Sequence, residues 1–125
     1  MVELLVAITI IVIISIIGMA TFAGIRGKSQ DGVRKNALAG LATALELYYR
    51  IHGEYLINTG SCTSTPPTAT DVLYTDTEFA KLINNSLPKD PKTGSNYCYQ
   101  TDAAGDSFKL YAKLEDGTDY IISSD

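Results

Sequence analysis

The chain has 125 residues and a formal net charge of −4, with 10 Lys and Arg against 14 Asp and Glu. The charge is distributed unevenly: residues 1–50 contain five basic and three acidic side chains, whereas residues 51–125 contain five basic and eleven acidic ones. An acidic C-terminal part argues against binding to nucleic-acid phosphates as the main activity. The length leaves room for one domain with a modest hydrophobic core.

The chain begins with an apolar run that is long enough to cross a bilayer. Residues 4–25 carry no charge, and their only polar side chains are those of Thr9, Ser15 and Thr21. As a helix this run spans roughly 33 Å, which matches the thickness of a hydrocarbon core. A secretory signal peptide is a poor match, because Glu3 stands where a basic start is expected and the run exceeds the usual length of about 7–15 apolar residues.

Two signals disagree about which side of a membrane holds the rest of the chain. Arg26, Lys28 and two further basic residues follow the apolar run, and the positive-inside rule would place them in the cytoplasm. The chain has two cysteines, Cys62 and Cys98, in a region rich in Thr, Ser and Tyr. An even number of cysteines in such a region favours a disulfide and an oxidising compartment. Two unpaired buried thiols remain the alternative. Because the sequence has no C-x-x-C motif, a bond between the two would be structural.

The apolar run is predicted to continue into an amphipathic helix. No proline occurs before Pro66, so residues 2–52 are expected to form one helix roughly 75 Å long. After Gly27 the apolar residues follow helical spacing. The predicted buried stripe is Val33, Ala37, Leu41, Ala44, Leu45, Tyr48 and Ile51. The charged residues expected to lie off this stripe are Arg34, Lys35, Glu46 and Arg50.

The C-terminal part has the signals of a short helix and a small sheet. Residues 58–70 are a polar, Pro- and Thr-rich loop, and residues 77–84 are predicted to form a helix capped by Asp76. Three segments read as strands, namely Tyr97–Thr101, Ser107–Leu114 and Thr118–Ser123. The last two are joined by Asp116-Gly117, a strong hairpin signal. The pattern predicts an α+β fold in which an antiparallel sheet packs on the long helix.

These elements divide the chain into two predicted parts. Residues 1–25 are the stem, an apolar helix for a membrane or a filament core. Residues 26–125 are the head, with a helix over 26–52, a connecting loop over 53–96 and the sheet over 97–123.

No catalytic or cofactor-binding constellation is recognisable. His52, the one histidine, is expected at the end of the long helix as a structural surface residue. The aspartates in the predicted turns near the sheet do not form a D-x-D-x-D run, so no metal site is predicted. The protein is therefore expected not to be an enzyme and to bind no cofactor.

Several segments together resemble the type IV pilin and type II secretion pseudopilin family. They are Val2–Ile8 running into the long helix, Ala44–Tyr49 followed by Gly53-Glu54-Tyr55, Leu87–Pro91 with Gly94 and Tyr97, and Phe108–Gly117. The sequence departs from the family pattern at three places. Glu3 is third where the family has its glutamate fifth, Ala20 replaces a common proline of the apolar half, and Leu56 replaces a common proline after the tyrosine.

The resemblance implies a fold, a life cycle and partners. In the family a leader peptide is removed, the new N-terminus is methylated, and the subunit passes from the cytoplasmic membrane into an extracellular helical filament. A prepilin peptidase, a membrane platform protein and an assembly ATPase are the implied partners, together with further copies of the chain. The resemblance implies that Glu3 occupies the position of the family's glutamate.

A physical reason for that carboxylate can be given. Glu3 can reach water or headgroups in a single membrane-bound subunit, but it loses this access once the stems pack on one another. The positive α-amino group of a neighbouring chain is then the nearest cation, and a mismatched register would leave both charges unpaired. We therefore predict that Glu3 sets the assembly register. The alternative is an interfacial charge without function.

Three glycines lie where the stem meets the head. Gly18, Gly24 and Gly27 each weaken a helix by about 1 kcal/mol relative to alanine. They are predicted to allow bending or local unwinding of the helix during assembly, or else close approach of helices in the membrane, and both interpretations stay open.

The sequence thus favours a structural subunit of a type IV pilus, serving adhesion, motility or DNA uptake. A pseudopilin of a type II secretion system is the closest alternative. A monomeric, membrane-anchored extracytoplasmic binding domain is the alternative from a different class.

Overall fold

The computed structural model describes residues 1–62 and 72–124, and part of the predicted polar loop lies outside this range. Its longest element, α1, runs from Val2 to His52 as one uninterrupted helix of 51 residues. It ends where predicted, because Gly53 adopts a left-handed conformation (φ 82°) and donates its N–H to the carbonyl of Tyr49 at 2.7 Å.

Two short helices and three strands complete the described part of the head. Helix α2 is Val72–Thr75 and helix α3 is Thr77–Leu82. Asp76 caps α3 as predicted, accepting a hydrogen bond from the Phe79 N–H at 2.7 Å. The helix is shorter than the predicted 77–84, because Asn84 and Asn85 both adopt φ 54° and cannot continue it. Helix α2 was not predicted from the sequence.

The strands form an antiparallel sheet in the order β1-β2-β3. Strand β1 is Cys98–Thr101, β2 is Phe108–Lys113 and β3 is Asp119–Ser123, each within a residue or so of its predicted bounds. Strand β2 alternates buried and more exposed residues, and its buried face packs on α1. The structure therefore has the predicted α+β architecture, a long helix on a three-stranded antiparallel sheet.

The core of the head lies between the second half of α1, the sheet and α3. Its largest fully buried side chains are Leu38, Leu41, Leu45, Leu73, Phe79, Tyr99, Phe108 and Leu110. Burial of this apolar surface is the main stabilising contribution that a head of this size can make.

The predicted buried stripe on α1 is wrong at four positions. Val33 and Ile51 are 48% and 60% exposed, whereas Arg34 is only 3% exposed. Leu38, which was not predicted as part of the stripe, is fully buried. The head covers the face of α1 that carries Leu38 and Leu45, and Arg34 lies one turn before Leu38 on that same face. Position on the helix, and not side-chain polarity, therefore buries Arg34, and the head supplies carboxylates to receive its charge.

Candidate assembly surface and its junction with the head

The stem presents an apolar surface on all sides. Every side chain of residues 1–26 is exposed, including the nearly continuous run of Ile and Val over residues 10–17. By length and composition α1 is able to cross a membrane, and it is the one such helix among the described residues. A contiguous apolar surface of this size is not stable in water, so it needs lipid or other apolar helices around it.

The hydroxyl groups of the stem are already satisfied within the helix. Thr9 and Ser15 donate to the carbonyls of Val6 and Ile11, both at 2.7 Å, and Thr21 donates to the carbonyl of Ile17 at 2.8 Å. Such bonds let a hydroxyl enter an apolar environment without a partner on another chain. Glu3, the one ionisable side chain before Arg26, is therefore the polar group of the stem that still needs an external partner.

Glu3 lies in the first turn of α1, where its side chain is exposed. A carboxylate at this position interacts favourably with the partial positive charge of a helix N-terminus. Among the described residues no cation contacts it in the single chain. Its predicted partner belongs to another subunit, so its role in setting the register stays a prediction.

The three glycines differ in their surroundings. A Cβ atom added at Gly18 or Gly24 would meet nothing within 4 Å, whereas one at Gly27 would lie 3.5 Å from Cγ of Glu115. Helix α1 is continuous through all three. Gly27 is therefore one of the positions where the turn between β2 and β3 contacts the helix, and the predicted flexibility of this region stays a prediction.

A cluster of charged residues joins the stem end of the head to α1. The guanidinium of Arg34 contacts three carboxylates: Nε lies 2.6 Å from Oδ2 of Asp90, Nη1 lies 2.8 Å from Oδ1 of Asp31, and Nη2 lies 3.1 Å from Oε1 of Glu115. Lys92 extends the cluster, with Nζ 2.8 Å from Oε2 of Glu115. These residues come from α1, from the loop before β1 and from the β2–β3 turn, so the cluster fixes all three segments to one another.

Hydrogen bonds determine the protonation of this cluster. Burial by itself would raise the pKa of Asp90, but the hydrogen bonds from Arg34 and from the backbone N–H groups of Thr93 and Lys92 hold it well below its usual range. The bond to Asp90 raises the pKa of Arg34 despite the opposing effect of burial. Bonds from Lys92 and from Arg34 lower the pKa of Glu115. Arg34, Asp90 and Glu115 are therefore ionised at neutral pH.

A disulfide and a set of hydrogen bonds hold the segment after α1 against the sheet. Sγ of Cys62 and Sγ of Cys98 are bonded, with Cα atoms 5.8 Å apart, so the two thiols are paired and not free. The main-chain carbonyl of Asn58 accepts a hydrogen bond from the Thr101 N–H at 2.9 Å. The side-chain amide of Asn58 donates a hydrogen bond to the Tyr99 carbonyl at 3.2 Å. The segment thus covers the outer edge of β1, which would otherwise be open to pairing with another chain.

The charged cluster around Arg34 was not predicted from the sequence. The spacing of Asp31 and Arg34, three residues apart on a helix, indicates a local ion pair, but Asp90 and Glu115 lie 56 and 81 residues from Arg34. His52, expected to be structural, stacks on Tyr48 with ring centroids 4.0 Å apart. No described group of three or more His, Cys, Asp or Glu residues is arranged to hold a metal ion.

The chain was compared with known protein families, curated proteins and solved structures. No protein-family model, curated protein or solved structure matches the chain. The functional assignment therefore depends on the sequence motifs and on the geometry of the stem and the head.

Proposed function

We propose that this protein is a structural subunit that polymerises through its stem into a type IV pilus filament. The observation that carries the proposal is an exposed apolar helix that continues without a break into the spine of a disulfide-bonded head. This architecture is compatible with a pilin-like subunit. The stem needs an apolar environment, and both lipid and the stems of other copies provide one.

The energetics of the transfer from lipid explain why a specific contact is needed. Burial of about 1,000 Å² of such a surface from water would contribute on the order of 25 kcal/mol. Transfer from lipid to a bundle of stems gains far less, because acyl chains are as apolar as the helices. Close packing and the pairing of Glu3 with a neighbouring α-amino group are the terms that favour the filament over the membrane.

The proposal includes a life cycle. The unassembled subunit resides in the cytoplasmic membrane, is processed by a prepilin peptidase, and is added to an extracellular filament by a platform protein and an assembly ATPase. The role is structural and not enzymatic. Further copies of the chain are the main partners.

A pseudopilin of a type II secretion system is the second candidate, and the loop before β1 is the observation that favours it. Asp90-Pro91 with Gly94 and Tyr97 resembles that branch of the family. The same loop carries the Asp90 carboxylate that accepts a hydrogen bond from Arg34. The Tyr97 hydroxyl donates a hydrogen bond to the carbonyl of Lys89 at 3.3 Å. Since these residues also stabilise the head, they favour the second candidate only weakly.

Electron microscopy of cells that produce the full chain, labelled with an antibody against the head, tests the proposal. Long surface fibres that bind the antibody are the expected result, and a short periplasmic filament would favour the pseudopilin. A dispersed monomeric protein in the membrane would overturn both and favour an anchored binding domain. The intact mass of the purified subunit adds an independent check, because a processed and methylated N-terminus is expected.

A further inference from the structure

A groove lies beneath the head, at the level where the stem ends. The walls are residues 15–30 of α1 on one side and Pro91, Lys92 and Glu115 of the head on the other, and its volume is about 1090 Å³. The groove is open to its surroundings. In a membrane-bound subunit it would therefore be filled by whatever molecules surround the stem.

The two ends of the groove differ in polarity. Met19 and Phe22, which are 80% and 68% exposed, form its apolar end. Arg26, one of its polar residues, lies seven positions beyond Met19, which corresponds to about 10 Å along a helix. The run over residues 4–25 fills a hydrocarbon core, so Met19 and Phe22 would face acyl chains while Arg26 lies at the level of the headgroups.

Of the two cations at the polar end of the groove, one is paired with a carboxylate and the other is not. Nζ of Lys92 lies 2.8 Å from Oε2 of Glu115, and the same carboxylate also forms an ion pair with Arg34. Arg26 lines the same groove and has no acceptor among residues 1–62 and 72–124, so it is the cation that remains uncompensated. A guanidinium binds a phosphate through two parallel hydrogen bonds.

We propose that the membrane-bound subunit holds an anionic phospholipid in this groove, with the headgroup phosphate on Arg26 and an acyl chain along Met19 and Phe22. The distribution of charge and apolar surface in the groove matches such a lipid, which has one negative phosphate above an apolar tail. The inference rests on the proposed membrane-embedded state of the subunit and does not require filament formation. It assigns Arg26 a ligand that a simple flanking charge would not have.

Lys28 provides a matched control, because it is a second cation just beyond the apolar run but does not line the groove. The test uses the full chain purified in a detergent without phosphate and native mass spectrometry with phosphatidylglycerol or phosphatidylcholine. The wild-type protein should retain one phosphatidylglycerol in preference to phosphatidylcholine. Arg26→Gln should weaken this retention by about fivefold, as expected for one cation near an anionic lipid. Lys28→Gln should leave it unchanged.

Equal losses in the two variants would overturn the inference, because they would indicate general attraction by flanking charges. Undiminished retention in Arg26→Gln, or a second copy of the chain cross-linked into the groove in place of lipid, would overturn it as well. Carbonate extraction of vesicles containing the same proteins separates this failure from that of the proposed function. A wild-type chain that is extracted would contradict the membrane-embedded state, whereas a retained chain with Arg26-independent lipid binding would contradict the lipid site alone.

Discussion

Nε of Arg34 lies 2.6 Å from Oδ2 of Asp90, a residue 56 positions further along the chain. The Arg34 side chain is 4% exposed and that of Asp90 is 13% exposed, so water contributes little to the solvation of either charge. A buried ion pair of this kind adds little net stability compared with apolar residues, but the loss of one partner leaves the other charge uncompensated. The pair therefore makes the head sensitive to substitution at the level where it meets the stem.

Arg34→Met is expected to lower the free energy of unfolding of the head by about 3 kcal/mol, because three carboxylates lose their shared cation. Arg50→Met is the control, since Arg50 is an exposed residue of the same helix, and it should change the free energy by less than about 0.5 kcal/mol. Urea unfolding of the full chain in a non-ionic detergent measures both variants. Equal stability of Arg34→Met and the wild type would show that the cluster is not coupled to folding.

The stability of the head should also decrease in acid. The folded pKa of Asp90 lies below its unfolded value, so between these two values the unfolded chain binds more protons than the folded one. The contribution of this carboxylate is complete above its unfolded pKa of about 3.9 and is lost as the pH falls further. Unfolding measured from pH 6 to pH 2 should show this decrease. Asp90→Asn should be less stable near neutral pH and should have a shallower decrease, and an unchanged slope would contradict the assignment.

The contrast between α1 and Arg34 shows what the sequence could predict. The helical spacing of apolar residues and the absence of proline are local signals, and they predicted the extent of α1 correctly. The strands followed from residue alternation and from the Asp116-Gly117 turn. Arg34 was placed on the exposed side because its charge suggested solvent, and its partners Asp90 and Glu115 are brought to it only by the tertiary fold. The predicted partner of Glu3 belongs to another chain, so neither the local sequence signals nor the fold of a single subunit can identify it.

Loss of the disulfide should destabilise the head without affecting membrane insertion. Cys62 and Cys98 are separated by 36 positions, and closure of such a loop contributes about 3–4 kcal/mol in the chain-entropy model. Cys62→Ser should lower the free energy of unfolding by an amount of this order. Addition of dithiothreitol should bring the wild type to the same value and leave the variant unchanged. A stabilising role would be contradicted if dithiothreitol did not change the free energy of unfolding of the wild type and if Cys62→Ser were as stable as the wild type.

Gly27 is expected to tolerate alanine but not leucine. An added Cβ atom would be in ordinary contact with Glu115, so Gly27→Ala should raise the free energy of unfolding by up to about 1 kcal/mol through helix propensity. Gly27→Leu should lower it, because the larger side chain must displace Glu115 from Arg34 and Lys92.

Gly32 is the matched position for this comparison, since nothing lies within 4 Å of a Cβ atom added there. Gly32→Leu should therefore not destabilise the head in the same urea experiment. A similar loss of stability at both positions would mean that side-chain size on α1, and not contact with the β2–β3 turn, determines the result.

Glu3→Ala is expected to leave the subunit in the membrane but to abolish or shorten its filaments. Two unit charges about 4 Å apart attract by about 4 kcal/mol at an effective dielectric constant near 20, before the cost of desolvation is subtracted. This attraction to the α-amino group of a neighbour is available only in the assembled state, whereas the exposed Glu3 of a single subunit reaches water or headgroups. Carbonate extraction measures membrane retention, and electron microscopy measures filament number and length.

Two further variants make this result specific. Glu54→Ala removes an exposed carboxylate from the head and should leave both measurements unchanged. Glu3→Asp keeps the charge on a shorter side chain and should restore part of the filament length. If Glu3→Ala produced filaments of normal length, the carboxylate would not set the register, and close packing of the apolar stem would have to align the subunits without it.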